Sequence, residues 1–265
     1  MDFEEFREPT KKERRIRDYS YRKALEGVFD AKTIEAIEKL IASRVIEDIY
    51  YPVSTGKEAD VYYAKSPKGE ELAVKIYRIH TSAFKKIDIY VIQDKRFQAR
   101  KSPIKQKWAW ARREFKNLKL AYNAGVHVPK PIRLFRNVLV MQFIGRNGTP
   151  APQLVNVEEL VNPEYTFKVL INDVKLMFQK AKLVHADLSP FNILILDKKE
   201  PYIIDMAQGV RVSHPYALQF LYRDIHHIVS FFKGFLDETP DIDDIFEEIT
   251  GEKPSILVKS ILNEL

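Results

Sequence analysis

The amino-acid sequence predicts an α+β chain of two unlike lobes, β-rich in the first and mainly helical in the second. Two observations carry this. Short runs rich in β-branched and aromatic residues crowd between Ile46 and Ile144, and helix-period apolar patterns follow beyond Asn162. A Gly- and Pro-rich tract, GRNGTPAPQL, lies between them and reads as a connector. At 265 residues the chain can bury a proper core, as one bilobal domain or two small ones.

Taken in order, residues 1–30 carry equal numbers of acids and bases and read as a loosely docked lead-in. Asp30 then reads as an N-cap to KTIEAIEKLIASRV, where Ile34, Ile37, Leu40 and Ile41 share one helical face. Residues 1–45 thus form an N-terminal helical extension. From Ile46 the runs IEDIYYPVSTG, ADVYYAK and EELAVKIY alternate with glycines and the turn Ser66-Pro67-Lys68-Gly69, which predicts a three-stranded antiparallel meander. A basic segment leads into a helix expected from about Lys107 to Ala124. PIRLFRN and VLVMQFIG supply two more strands and close a first lobe of residues 46–144. In the second lobe, 145–265, Asn162-Pro163-Glu164 starts a helix with a capping residue followed by Pro. Its stripe of Phe167, Leu170, Val174, Met177, Phe178 and Ala181 is core packing.

Composition narrows the function classes. Hydrophobic residues make up 45% and charged residues 30%, a globular balance. There is no cysteine, which excludes disulfides and thiolate zinc sites. No apolar run nears the roughly 20 residues of a membrane span, and the N-terminus lacks a signal-peptide core. A soluble, cytoplasmic protein with no membrane partner is expected. The net charge of +6 is uneven: fourteen Lys/Arg and three Asp/Glu lie between Lys75 and Lys119. That run mixes in Phe84, Phe97, Trp108 and Trp110, a composition able to meet phosphate on nucleotide or RNA. Residues of about 79–106 read as a flexible basic insertion, since long loops are usually functional or disordered. Within it Thr81, Ser82 and Ser102 are hydroxyls that could take phosphate, and Lys85, Lys86, Lys95 and Arg96 could contact RNA.

The densest chemistry lies in VHADLSPFNILIL, residues 184–196. NILIL, the polar turn DKKE and PYIID make a hairpin. Centred between Lys198 and Lys199, it sets Asn192 opposite Asp205, with Asp187 on the loop just before. A carboxylate beside an amide oxygen is a hard-oxygen site suited to Mg²⁺, which leaves Asp187 free to orient or deprotonate a nucleophile. This is the pattern of phosphoryl transfer. Taken alone, Asp187 and Asn192 could equally cap a turn.

The first lobe supports the chemical reading. Against the glycine-rich loop pattern G-x-G-x-x-G-x-V, STGKEADV puts Ser54, Gly56, Ala59 and Val61 in the fixed places, with one glycine kept. Lys75 in LAVKIY follows one strand later, on an apolar strand where a lysine needs a partner, and Glu114 in RREFKNLKL is the candidate. A Walker A loop is excluded, because Tyr51 and Glu58 fill its required places. The six histidines show no HExxH arrangement, and His185 reads as a hydrogen-bonding support rather than a base.

Together STGKEADVYYA, LAVKIY, VHADLSPFNILIL and YIIDMAQ resemble the RIO family of atypical serine/threonine protein kinases, over roughly Ile34 to Phe232. The STGKEA form resembles its type-1 branch, in an archaeal-like minimal form. The resemblance implies a trimmed bilobal protein-kinase fold with ATP between the lobes. Ser54, Thr55, Gly56, Lys57, Glu58, Ala59 and Val61 would cover the nucleotide. Lys75 would contact its phosphates and pair with Glu114. Asp187 would be the catalytic aspartate, while Asn192 and Asp205 would hold Mg²⁺ or Mn²⁺. Gln142 and Ile144 would bind adenine through backbone, and Met141 would set pocket depth. The family is linked to small-ribosomal-subunit maturation, which implies a ribosomal precursor (RNA and protein) as partner, with autophosphorylation or an ATPase cycle through phosphorylated Asp205. Departures from ordinary protein kinases are Ala186 for the loop arginine, Asp205-Met206-Ala207 for Asp-Phe-Gly, no Ala-Pro-Glu, and only 60 residues after Asp205. The alternatives are a small-molecule phosphotransferase of the aminoglycoside or choline kinase type, which usually has a larger C-terminal lobe, and a non-catalytic RNA-bound scaffold. Retention of Lys75, Asp187, Asn192 and Asp205 together argues against the scaffold.

Overall fold

The computed structural model describes residues 28–78 and 103–264. The lead-in expected over residues 1–27, and the expectations placed on residues 79–102, including Thr81, Ser82, Ser102 and the four basic side chains, lie outside the described residues.

The first helix, α1 (Ala31–Ala42), is capped as its sequence demands: Asp30 Oδ1 accepts from the N–H groups of Lys32 and Thr33 at 3.0 and 3.1 Å. Its apolar stripe of Ile34, Ala36, Ile37 and Leu40 is buried on one face of the sheet, against Val74, Ile76, Val138 and Val140. The meander follows as β1 (Asp48–Thr55), β2 (Ala59–Lys65) and β3 (Glu71–Tyr77), all antiparallel. Ser66 and Gly69 close the second turn, where Gly69 N–H reaches Ser66 O at 2.9 Å with φ 82°. With β4 (Pro131–Phe135) and β5 (Val138–Gln142) the sheet order is β1-β2-β3-β5-β4. Pro52 is tolerated because β1 is an edge strand with register shifts beside it.

Across the other sheet face lies α2 (Pro103–Asn123), which starts earlier than expected. Pro103 occupies its first position, where a missing N–H costs nothing. Residues 103–106 are therefore helical, which shortens the anticipated 79–106 insertion.

The connector folds into a small hairpin of β6 (Gly145–Arg146) and β7 (Thr149–Pro150). Next, α3 (Pro163–Gln179) is capped by Asn162, whose Oδ1 accepts from Tyr165 N–H at 2.9 Å. Two short antiparallel pairs flank the cleft: β8 (Leu183–Val184) with β11 (Val210–Arg211), and β9 (Ile193–Leu196) with β10 (Glu200–Ile203). Helices α4 (Ala217–Phe232), α5 (Ile242–Thr250) and α6 (Ile256–Lys259) complete the chain, and the main core gathers α3, α4 and α5. Leu170 of α3 is fully buried there. Leu170→Ala is expected to cost about 2–5 kcal/mol of unfolding free energy in a urea titration. No helix among the described residues is long and apolar enough to cross a membrane.

One register differs from expectation. Asp197 and Lys198 both take left-handed backbone angles, φ 53° and 55°, and Lys199 N–H returns to Leu196 O at 3.1 Å. Leu196 pairs with Glu200, so the turn centres on Lys198 and Ile204, not Asp205, falls opposite Asn192. Asp205 is the next residue along, and it still reaches the cleft.

Candidate active site

Alternation along β3 puts Ala73, Lys75 and Tyr77 on the sheet face toward α2 and the cleft. Lys75 Nζ lies 3.0 Å from Glu114 Oε1 of α2 and 3.1 Å from Asp205 Oδ1, so the expected Lys75–Glu114 partnership is present. The second Glu114 oxygen accepts from the Tyr77 hydroxyl. Burial works to discharge Lys75, but the charges of Asp205 and Glu114 hold its pKa above the usual lysine value. Burial pushes Glu114 up to about 7, against the pull of Lys75. Asp205 goes the other way: enclosure raises it, Lys75 lowers it, and Lys75 prevails. Its carboxylate is 47% exposed, open to the cleft.

The loop between β8 and β9 is shaped by helix α4. Ala186 takes a left-handed backbone angle, φ 65°. Asp224, fully buried on α4, accepts the N–H groups of Ala186 and Leu188 at 2.8 and 3.0 Å. The adjacent Arg223 donates to Ala186 O, and His227 Nδ1 donates to Leu188 O at 2.9 Å. His185 Nε2 donates to Ile204 O at 3.0 Å, a support from beneath the loop as expected.

This loop presents Asp187. Its Oδ2 accepts from Asn192 Nδ2 at 3.2 Å and from Gln208 Nε2 at 3.1 Å, which leaves Oδ1 for an incoming proton. Burial, helped by the charge of Asp205, lifts its pKa to about 6. Asn192 Nδ2 also donates to Asp187 O at 2.8 Å. With its nitrogen committed there, the Asn192 amide keeps Oδ1 as an acceptor, and Asn192 and Asp205 line the same cavity. Such a two-oxygen donor set fits Mg²⁺, which takes few protein ligands and fills its shell with water and phosphate oxygens. Among the described residues no cluster of three or more His, Asp or Glu offers a fuller cage.

A cavity of about 550 Å³ joins these groups to the β1–β2 loop and the inter-lobe connection. Ser54, Gly56, Lys57, Glu58, Ala59 and Val61 line it, with Lys75, Glu114, Met141, Gln142, Ile144, Asn192 and Asp205. Gly56 N–H closes the loop onto Ala59 O at 3.0 Å, and a Cβ on Gly56 would meet that same oxygen. Two expected residues do not line the cavity. Thr55 faces the opposite side of the strand from Ser54 and Gly56. Asp187 is not itself a lining residue, but Asn192 and Gln208, which donate to it, both are. At the connection, Ile144 O accepts from Ala151 N–H, while Ile144 N–H has no acceptor among the described residues.

Four contributors were missed. Asp224 was legible as a lone carboxylate in the apolar stripe of Phe220, Leu221, Ile225 and Ile228. Asn117, which ties α2 to Met206 O and Gly209 O at 2.9 Å each, was similarly a polar residue on a buried face. Tyr77 stands at the end of an apolar strand and carries no local sign of a role. Nothing local marked Gln208.

The fold and this cluster are now joined by sequence: the RIO domain family matches residues 60–245. The chain belongs to the RIO family of serine/threonine-protein kinases. Among RIO relatives, the RIO-type serine/threonine-protein kinase Rio1 of Haloferax volcanii is 39% identical over 255 residues, covering 95% of this chain and 84% of the relative. Rio1 of Methanocaldococcus jannaschii is 36% identical, over 92% of this chain and 82% of its own length. The human kinase RIO1 is 39% identical across 91% of this chain, which spans only 43% of the human protein. A solved structure of Rio2 kinase from Chaetomium thermophilum, in complex with ADP/Mg²⁺ and phosphoaspartate, superposes with a TM-score of 0.65 at 23% identity, over 93% of this chain and 79% of that one. At that identity the likeness concerns the fold, a trimmed kinase fold with a β-rich first lobe and a helical second.

Proposed function

We propose that the cleft binds ATP with Mg²⁺ and transfers the γ-phosphoryl group to a serine or threonine hydroxyl. The observation that carries this is the convergence of Lys75, Asp205 and Asn192 on one cavity, with Asp187 tied to the lining residues Asn192 and Gln208. Adenine would lie between Ala73, Met141 and Leu194, with Ile144 N–H as its free donor. Lys75 would exchange Asp205 for the nucleotide phosphates while keeping Glu114. Asn192 Oδ1 and Asp205 would hold Mg²⁺, which when bound neutralises phosphate charge. Asp187 Oδ1 would take the acceptor hydroxyl's proton as the oxygen bonds to the γ-phosphorus and the bond to ADP breaks.

A second outcome shares this site. The Asp205 carboxylate is ionised and half open, so it could take the γ-phosphoryl group, release ADP and then be hydrolysed by water. The related Rio2 complex contains phosphoaspartate, which favours including this ATPase cycle. A role on precursors of the small ribosomal subunit, and autophosphorylation, belong to the same proposal. Incubation with radiolabelled ATP, first alone and then with ribosomal precursors, tests it. Label on serine or threonine, or released phosphate, is expected; neither in either arm would refute the reading.

The pH dependence follows from Asp187. As a base it must be ionised, and its pKa stands at about 6. Activity as kcat/KM should therefore be flat above about pH 7 and fall tenfold per pH unit well below 6. An acid limb near pH 4 would contradict the assignment.

A further inference from the structure

We infer that Tyr77 is a positioning residue, whose hydroxyl holds Glu114 against Lys75 and so presets the lysine for nucleotide phosphates. This rests on the reading of Lys75 as the phosphate contact. Tyr77 is 1% exposed and sits two residues beyond Lys75 on the same face of β3. Its hydroxyl donates to Glu114 Oε2, while Lys75 takes Oε1 at 3.0 Å. Thus each oxygen of a buried carboxylate has its own donor. The Lys75 ammonium also lies 5.3 Å from the centre of the Tyr77 ring.

The ring itself cannot shift easily. It packs with Trp110 and Ala111 of α2 and with Ala207, two residues beyond Asp205. The Tyr77 backbone is pinned on both sides by Asn137: Tyr77 N–H donates to Asn137 O at 3.0 Å, and Asn137 Nδ2 donates to Tyr77 O at 2.9 Å. The same Nδ2 reaches Thr33 Oγ1 of α1 at 2.9 Å. A rigid phenol is therefore aimed at Glu114 from β3, before any nucleotide arrives. Without its hydroxyl, one carboxylate oxygen of Glu114 would be buried unpaired, and α2 would gain by swinging the side chain away from Lys75.

The test is a double-mutant cycle on Mg²⁺–ATP affinity, with Tyr77→Phe, Glu114→Gln and both together, and Lys75→Ala as reference. Tyr77→Phe keeps the packed ring and should weaken ATP binding roughly tenfold, the size of a hydrogen bond to a charged group. On top of Glu114→Gln it should add less than about twofold. A merely structural role would instead lower thermal stability equally in both backgrounds and leave affinity alone. Wild-type affinity for Tyr77→Phe, or a loss that adds in full to that of Glu114→Gln, overturns the inference while a weakened Lys75→Ala leaves the ATP reading standing. Wild-type affinity in Lys75→Ala overturns both.

Discussion

Asp205→Ala is expected to abolish Mg²⁺-dependent ATP binding and turnover together. In the proposed site the carboxylate would be the anionic half of a two-oxygen set with Asn192, and an amide oxygen alone holds Mg²⁺ poorly. It also supplies part of the charge that keeps Lys75 an ammonium in a buried setting. Affinity measured calorimetrically with and without Mg²⁺ should fall on the order of a hundredfold or more, two turns of the tenfold scale per 1.4 kcal/mol. Asp205 adopts φ 62°, which asparagine tolerates and alanine resists. Asp205→Asn therefore separates lost charge from backbone strain: it should behave as the alanine variant does. Retention of affinity within about threefold in the asparagine variant would remove Asp205 from the metal site.

Asp187→Ala should behave differently. In the proposed site Asp187 would meet the acceptor hydroxyl and not the nucleotide, so ATP affinity is expected to stay within about threefold of wild type, less than 0.7 kcal/mol. Turnover should drop on the order of a hundredfold to ten-thousandfold, the usual loss for a positioned acid–base group. Single-turnover transfer from radiolabelled ATP reads the chemical step directly. Equal losses of affinity in the Asp187 and Asp205 variants would contradict this division of labour.

How much of this was legible in the sequence depended on the kind of signal. Caps and periodicity are local, and Asp30, Asn162 and the meander turn at Ser66–Gly69 were readable because each satisfies its own neighbours. The Lys75–Glu114 pair crosses 39 residues, yet a charge on a buried strand requires an opposite charge, and few candidates existed. The β9–β10 register escaped by one residue. Its turn uses Asp197 and Lys198 in left-handed conformations without the glycine that usually announces them. The earlier start of α2 escaped because Pro103 looks like a break, whereas at a first helical position it is a beginning. Tyr77 and Gln208 escaped for another reason. Their partners, Glu114 and Asp187, come near only through the tertiary fold, and neither residue violates a local pattern where it stands.

The grip of α4 on the Ala186 loop bears on regulation. Alanine carries no charge for a phosphorylated segment to seize, and the loop is instead fastened from below by Arg223 and Asp224. Those two are consecutive residues on a helix buried in the main core. The loop thus acquires its working shape when the protein folds, and keeps it. Its shape owes nothing to a phosphate paired at residue 186, because Asp224 and Arg223 already hold the backbone on either side.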